Sequence, residues 1–273
     1  MSQRLKSILL HAVLIAGAAI TVFPLFWMLS ASFMTTGEAT AFPPHMIPHH
    51  PTFDQYRLLF VRLNIGRAFF SSAFIAVAVT FFSVLFGSMA GYTFAKLRFR
   101  GRNRIFALLL IALVVPPQVG MLPLFLIMKQ LHLVNTYWGA IIPSMVTVFG
   151  IFLIRQFMLS VPQELLEAAR IDGASEWRIY WSVVLPLAKP ILATLATFMF
   201  MSTWNDFMWP LIVLSDQRHY TLPVAIANLV GEHVQDAELM MASSVLTVLP
   251  VLVVFIALQR YYIAGIMAGS VKG

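Results

Sequence analysis

The 273-residue chain is divided into long stretches without formal charge. Residues 7–37, 68–95, 105–128, 130–154 and 239–259 hold no Asp, Glu, Lys or Arg, and residues 190–213 hold only Asp206. A hydrocarbon core about 30 Å thick needs roughly 20 apolar residues per helix, so each run is long enough to cross. Apolar residues occur all round these segments, and a period of 3.6 therefore marks no single buried face. The pattern predicts six transmembrane helices in an all-α integral membrane protein. The first run follows Arg4 and Lys6 as a signal peptide would, yet its apolar part exceeds an h-region of about 7 to 15 residues. It reads as a retained anchor.

Composition agrees: 60% of residues are hydrophobic, 11% are charged and mean hydropathy is +0.84, outside the range of soluble domains. Lys and Arg bias sets the orientation. With the N-terminus cytoplasmic, the outer segments keep Arg57, Arg62, Arg67, Lys129 and Arg218, and 13 of the 18 basic residues fall inside. Both termini are then expected in the cytoplasm. The net charge of +7 is mostly this topological signal, and no nucleic-acid partner is needed to explain it. The absence of cysteine excludes disulfides, thiolate metal sites and cysteine nucleophiles.

The first outer segment, 38–67, begins with Pro43, Pro44, His45, Pro48, His49, His50 and Pro51. The prolines predict an irregular loop that does not hold the histidines on one face with Asp54, so no metal ligands are assigned. In the second run Ser83, Gly87, Gly91 and Ala95 recur every four residues, a small-residue face that lets another helix approach closely. Every other run carries proline, which removes a backbone donor and kinks a helix. No matched pair of broken helices of the kind secondary carriers show is visible in the two halves.

The inner segments differ in kind. Residues 96–104 carry five basic residues and no acid, an ordinary positive-inside turn, whereas 155–189 balance Arg155, Arg170, Arg178 and Lys189 against Glu164, Glu167, Asp172 and Glu176. Two short helices are predicted there. Ser160 is the expected cap of the first, with Gln163 in the capping-box position and Pro162 in the first turn. Gly173 is its expected stop, because glycine accepts the left-handed conformation without steric cost. Ser175 then caps a second helix, which Pro186 ends. Ala168 and Ala169 leave a low-relief surface. Amphipathic helices that lie on lipid are usually enriched in Lys and Arg, so charge balance favours a protein partner.

Glu167, Ala168, Ala169, Gly173, Leu185 and Pro186 have the spacing of a known motif: Glu-Ala-Ala, three residues, Gly, nine residues, then an aliphatic, any residue and Leu-Pro. In this it resembles the cytoplasmic-loop motif of permease subunits of type I ABC importers, with Val183 where isoleucine is commoner. From about residue 67 to the end, Arg170 to Ala174, Trp204-Asn205-Asp206 and the tail Ala264 to Gly273 resemble the second permease subunit of carbohydrate importers of the maltose and glycerol-phosphate type.

The resemblance implies residues 1–66 as a first helix and outer loop, and 67–263 as a five-helix permease core. It makes 155–189 the coupling loop and 264–273 a cytoplasmic tail. It further implies a multi-pass protein of the bacterial cytoplasmic (inner) membrane, half of a heterodimeric pore with a second permease subunit. An ATPase subunit dimer would hold ATP and Mg, an external solute-binding protein would deliver a sugar, and this chain would carry no cofactor. The six motif residues would seat in the ATPase, and Gly269, Val271 and Lys272 of the tail would reach it as well.

No Gly-x-x-x-x-Gly-Lys-Ser/Thr, His-Glu-x-x-His or Gly-x-Ser-x-Gly occurs, so no P-loop and no catalytic residue is assigned. Asp206, the one acid inside a predicted span, lies about seven residues, roughly 10 Å, from its outer end. Intramembrane acids suggest function. With Trp204 and Asn205 it offers a stacking face, an amide and a carboxylate suited to a polyhydroxylated solute, and Gln118 beside Pro116-Pro117 is a second polar candidate. The competing and weightier explanation is structural: hydrogen bonds between helices, or a place at the outer interface with Trp204 and Trp209 as belt residues. In the outer segment 215–238, Glu232, Asp236 and Glu238 are candidate contacts for the solute-binding protein. The alternative reading is an ion- or proton-coupled carrier titrating Asp206.

Overall fold

The computed structural model describes the backbone of residues 3–43, 45–62, 64–232 and 236–270, and the side chains of these except 3, 62, 230–232 and 260–270. Among the described residues every regular element is helical. In chain order they are α1 (Gln3–Ala31), α2 (Asp54–Arg57, continued by a π-helical turn Leu58–Arg62), α3 (Ile65–Lys96), α4 (Arg102–Ala112), α5 (Pro117–Gln130) and α6 (Tyr137–Ile141). There follow α7 (Val148–Ser160), α8 (Gln163–Ile171), α9 (Glu176–Ile179), α10 (Leu185–Trp204), α11 (Met208–Val213), α12 (Leu222–Glu232) and α13 (Ala237–Ser270).

Among the described residues five helical stretches are long and apolar enough to cross a membrane: α1, α3, residues 137–160 with a break at 145–147, residues 176–204, and α13 up to Gln259. The third predicted span is a pair instead. α4 and α5 are bent 102° from one another at residues 113–116, where Pro116 lacks an N–H and Pro117 takes the first turn of α5. The fifth predicted span, 190–213, is also corrected. α10 ends at Trp204, Asn205 is its C-cap, and α11 starts afresh at Met208, so Asp206 lies in a break between two helices.

Backbone contacts sort the chain into two units, residues 1–66 with 225–250, and 67–224 with 251–273. In the first unit, α1 presents apolar side chains to its surroundings along most of its length, the surface a bilayer covers. The segment between α1 and α3 is tied together by polar side chains. Glu38 accepts the His49 N–H at 2.7 Å, Tyr56 donates to Ser32 at 2.9 Å, and Gln55 donates to Thr36 at 3.1 Å. His45 and His49 come into ring contact, with nitrogens 3.1 Å apart, so the loop holds two of the three histidines closer than its prolines led one to expect. No third His, Asp or Glu joins them in a metal-binding group among the described residues.

In the second unit the small-residue face of α3 meets α7. Ser83 donates to the Ser144 carbonyl at 3.3 Å, and a Cβ built on Gly87 would be 3.7 Å from the Gly150 backbone. On Gly91 it would be 2.7 Å from Ile154 Cβ, so the helices are in contact there. The fully buried Ile141, Ile154, Leu166, Ile179 and Leu195 share one core with Tyr92 and Tyr180. Leu166 and Ile179 fasten the α8–α9 hairpin into the helices beneath it.

Candidate functional site

α8 has a buried side and an open one. Leu166 is fully buried, while Glu167, Ala168 and Leu165 are exposed and Ile171 is 86% exposed. Glu164 in the first turn and Arg170 in the last complement the helix dipole. Ser160 is not the cap expected of it. It is the last residue of α7, its hydroxyl donates back to the Phe157 carbonyl at 2.7 Å, and the N-cap of α8 is Pro162 in an extended conformation.

Gly173 follows the helix as its left-handed stop, φ +78°, with the Gly173 N–H on the Arg170 carbonyl at 3.0 Å and the Ala174 N–H on Ala169 at 3.0 Å. A Cβ at Gly173 would meet no atom within 4 Å. Ser175 caps α9 as expected, accepting the Arg178 N–H at 3.3 Å.

Pro186 does not end the second helix. From Glu176 the chain is helical without interruption to Trp204, passing through a π-helical turn, Tyr180–Val184, immediately before Leu185-Pro186. Widening the helix there accommodates the donor that Pro186 lacks. The hairpin thus runs straight into a membrane span.

Side chains tie the hairpin to the C-terminal half of α3. The Tyr92 hydroxyl donates to Glu176 Oε2 at 2.8 Å, and Arg170 Nε donates to Glu176 Oε1 at 2.7 Å. The Arg170–Glu176 pair is partly exposed and adds at most about 1 kcal/mol on its own. Hydrogen bonding to Glu176 raises the Arg170 guanidinium above its ordinary pKa, against a smaller opposing effect of burial. Ser88 and Tyr180 share a hydroxyl–hydroxyl bond at 2.8 Å, and Lys96 Nζ reaches the Val161 carbonyl at 2.5 Å. Tyr92 was missed in the sequence. The signal was there in Ser88, Tyr92 and Lys96, which repeat every four residues toward the C-terminal end of α3.

The substrate-path candidates differ in exposure. Trp204 is buried, its ring edge-on to Phe69 at 5.4 Å and stacked on Phe200 at 5.8 Å, so its face is already taken. Asn205 is exposed and donates to the Met201 carbonyl at 2.8 Å. Asp206 Oδ1 accepts the Trp209 N–H at 3.4 Å at the start of α11. Gln118 is exposed in the first turn of α5.

The charges of residues 215–238 divide. Asp216 and Arg218 pair at 2.7 Å, and this pairing holds the Asp216 carboxyl down to about 2. A lowered pKa contributes stability above the ordinary carboxylate range, lost as pH falls through about 2. Asp236 Oδ1 accepts the Leu239 N–H at 3.0 Å in the first turn of α13 and Oδ2 accepts from Thr36 at 3.4 Å. Glu238, expected as a docking contact, is fully buried and accepts the Ala39 N–H at 2.7 Å. Glu238→Lys is therefore expected to lower the thermal midpoint and the yield of purified protein, because it strands the Ala39 donor and buries an unpaired cation. An unchanged melting curve would return Glu238 to the surface. The Glu232 side chain and residues 271–273, with Val271 and Lys272, lie outside what is described, as does any side-chain surrounding of Gly269.

Residues 83–267 match the family described as binding-protein-dependent transport system inner membrane component. The chain is 40% identical over 263 residues to the arabinooligosaccharides transport system permease protein AraQ of Halalkalibacterium halodurans, covering 94% of this chain and 93% of that one. It is 33% identical to the lactose transport system permease protein LacG of Rhizobium radiobacter, over 99% of this chain and 98% of that one. Among solved structures it is similar to a bacterial ABC transporter involved in the import of the acidic polysaccharide alginate, with a TM-score of 0.82 and 26% identity over 96% of this chain and 99% of that one. The chain belongs to the family of binding-protein-dependent transport system inner membrane components and has the fold of an ABC importer permease.

Proposed function

We propose that this chain is one permease subunit of a heterodimeric importer for a sugar or oligosaccharide in the bacterial cytoplasmic membrane, and that α8 is where a partner ATPase dimer acts. One observation carries this reading: α8 is rooted by Leu166, while Glu167, Ala168, Ile171 and the Gly173 turn stand exposed among the described residues. An exposed aliphatic beside small residues and a carboxylate is a surface made for a protein partner. Lys and Arg bias supports a cytoplasmic location for the hairpin and both termini. The sugar class is taken from the named relatives, arabinooligosaccharide and lactose permeases among them.

ATP and Mg belong to the ATPase subunits, and an external solute-binding protein delivers the solute. Gly269, Val271 and Lys272 are proposed as a second ATPase contact on the family resemblance alone. In the substrate path Asn205 and Gln118 are the exposed polar groups, with Asp206 and Trp204 fixing the turn that presents Asn205. The match to the inner membrane components of binding-protein-dependent transport weighs against the carrier alternative.

The test is uptake into liposomes containing this chain, the second permease and the ATPase pair, with binding protein outside. Uptake of a labelled oligosaccharide is expected to require enclosed ATP and the binding protein and to survive collapse of the proton gradient. Uptake that ignores ATP and disappears with the proton gradient and in Asp206→Asn would overturn the proposal.

A further inference from the structure

We infer that α3 is the span that the coupling helix moves, and that Ser88, Tyr92 and Lys96 are the positioning residues through which it is gripped. This rests on the assignment of α8 to the ATPase. Four-residue spacing puts the three side chains on one face of α3, over about 12 Å of helix. They take hold of the hairpin at three separate places: Lys96 at Val161, just before α8 begins; Tyr92 at Glu176, where the next helix starts; and Ser88 at Tyr180, one turn further on.

Glu176 carries the connection back into α8. One oxygen accepts the Tyr92 hydroxyl and the other the Arg170 guanidinium in the last turn of α8. The Asp172–Ala174 turn would otherwise let α8 swing on Gly173. Bonded at its entry through Val161, at its exit through Arg170 and on its underside through Leu166, the helix is held at three points, and two of them lead to α3. Tyr92 and Ser88 are almost wholly buried, so the Ser88–Tyr180 bond is shielded from water; Glu176 is about half exposed, and its bond to Tyr92 draws its strength from the ionised acceptor, about twice that of a neutral one. Packing on α7 through Gly87 and Gly91 begins on the same helix one residue away, so a pull on this face of α3 is passed to its neighbour.

A purely structural role for these bonds makes a different forecast. It would lower uptake and ATP hydrolysis together, in step with thermal stability. A role in transmission lowers solute moved per ATP hydrolysed and leaves stimulated hydrolysis in place. The experiment uses the complete transporter in liposomes with binding protein, comparing wild type with Tyr92→Phe, which keeps the ring and removes the hydroxyl, and with Arg170→Gln, a partly exposed position where folding is not at stake. Solute transported per ATP is expected to fall about tenfold in Tyr92→Phe, the scale of one hydrogen bond to a charged group, and several-fold in Arg170→Gln, with hydrolysis still stimulated by the binding protein. An unchanged ratio in Arg170→Gln, or uptake and hydrolysis falling in proportion in Tyr92→Phe, would overturn the inference. A wild-type complex without ATP-driven uptake would instead sink the underlying assignment.

Discussion

Gly173→Trp is expected to abolish uptake and binding-protein stimulation of the ATPase while the chain still inserts and purifies in normal yield. Inside this chain the substitution is inexpensive. The left-handed conformation at φ +78° costs a residue with a Cβ about 1–2 kcal/mol, and no atom within 4 Å obstructs that Cβ. A large loss must then come from something that approaches from outside. Gly101 is the control, because it has the same conformation, φ +84°, with only Ile105 at 3.7 Å. Gly101→Ala and Gly173→Ala carry the same backbone penalty, so only the second should reduce transport per ATP. Equal transport in the two would mean that nothing docks on the hairpin.

Gly91→Ala is expected to destabilise the protein far more than Gly87→Ala, although both lie on the same face of α3. A methyl at Gly87 finds Leu195 at 3.6 Å, an ordinary contact. At Gly91 it overlaps Ile154 Cβ and Cγ2 at 2.7 Å and the Arg155 backbone nitrogen at 3.0 Å, and a backbone atom cannot turn aside. Overpacking of this kind costs about 1–3 kcal/mol. Thermal midpoints of the detergent-purified variants measure it directly, with a clear fall for Gly91→Ala and little for Gly87→Ala. Ile154→Ala should rescue only part of the loss, since Cβ and the Arg155 nitrogen remain. Equal midpoints would mean that α3 and α7 are less closely packed than described.

Features governed by local chemistry were legible before any coordinates. Charge-free runs located most of the spans, four-residue spacing located the α3–α7 contact, and Gly173 and Ser175 behave as the stop and cap their side chains imply. What escaped depends on partners distant in sequence or on how a break is absorbed. Proline at 116 and 117 announces a kink but not a bend of 102°, and Pro186 reads as a terminator until a π-helical turn carries the helix through it. Ser160 is claimed by its own helix before it can cap the next. Glu238 looks solvated beside Asp236 until the Ala39 N–H, 199 residues away, is found on it. Of the proposed functional residues, the motif was readable as a surface, but its attachment through Tyr92 and Glu176 required the fold.

The central claim is that an ATPase covers the open side of α8. Because the chain contains no cysteine, Ala168→Cys places a single thiol of this subunit on that side. Labelling by a water-soluble maleimide, with the partner proteins free of reactive thiols, should be rapid for the chain alone and suppressed at least tenfold in the assembled transporter. Equal labelling with and without the ATPase would contradict the account.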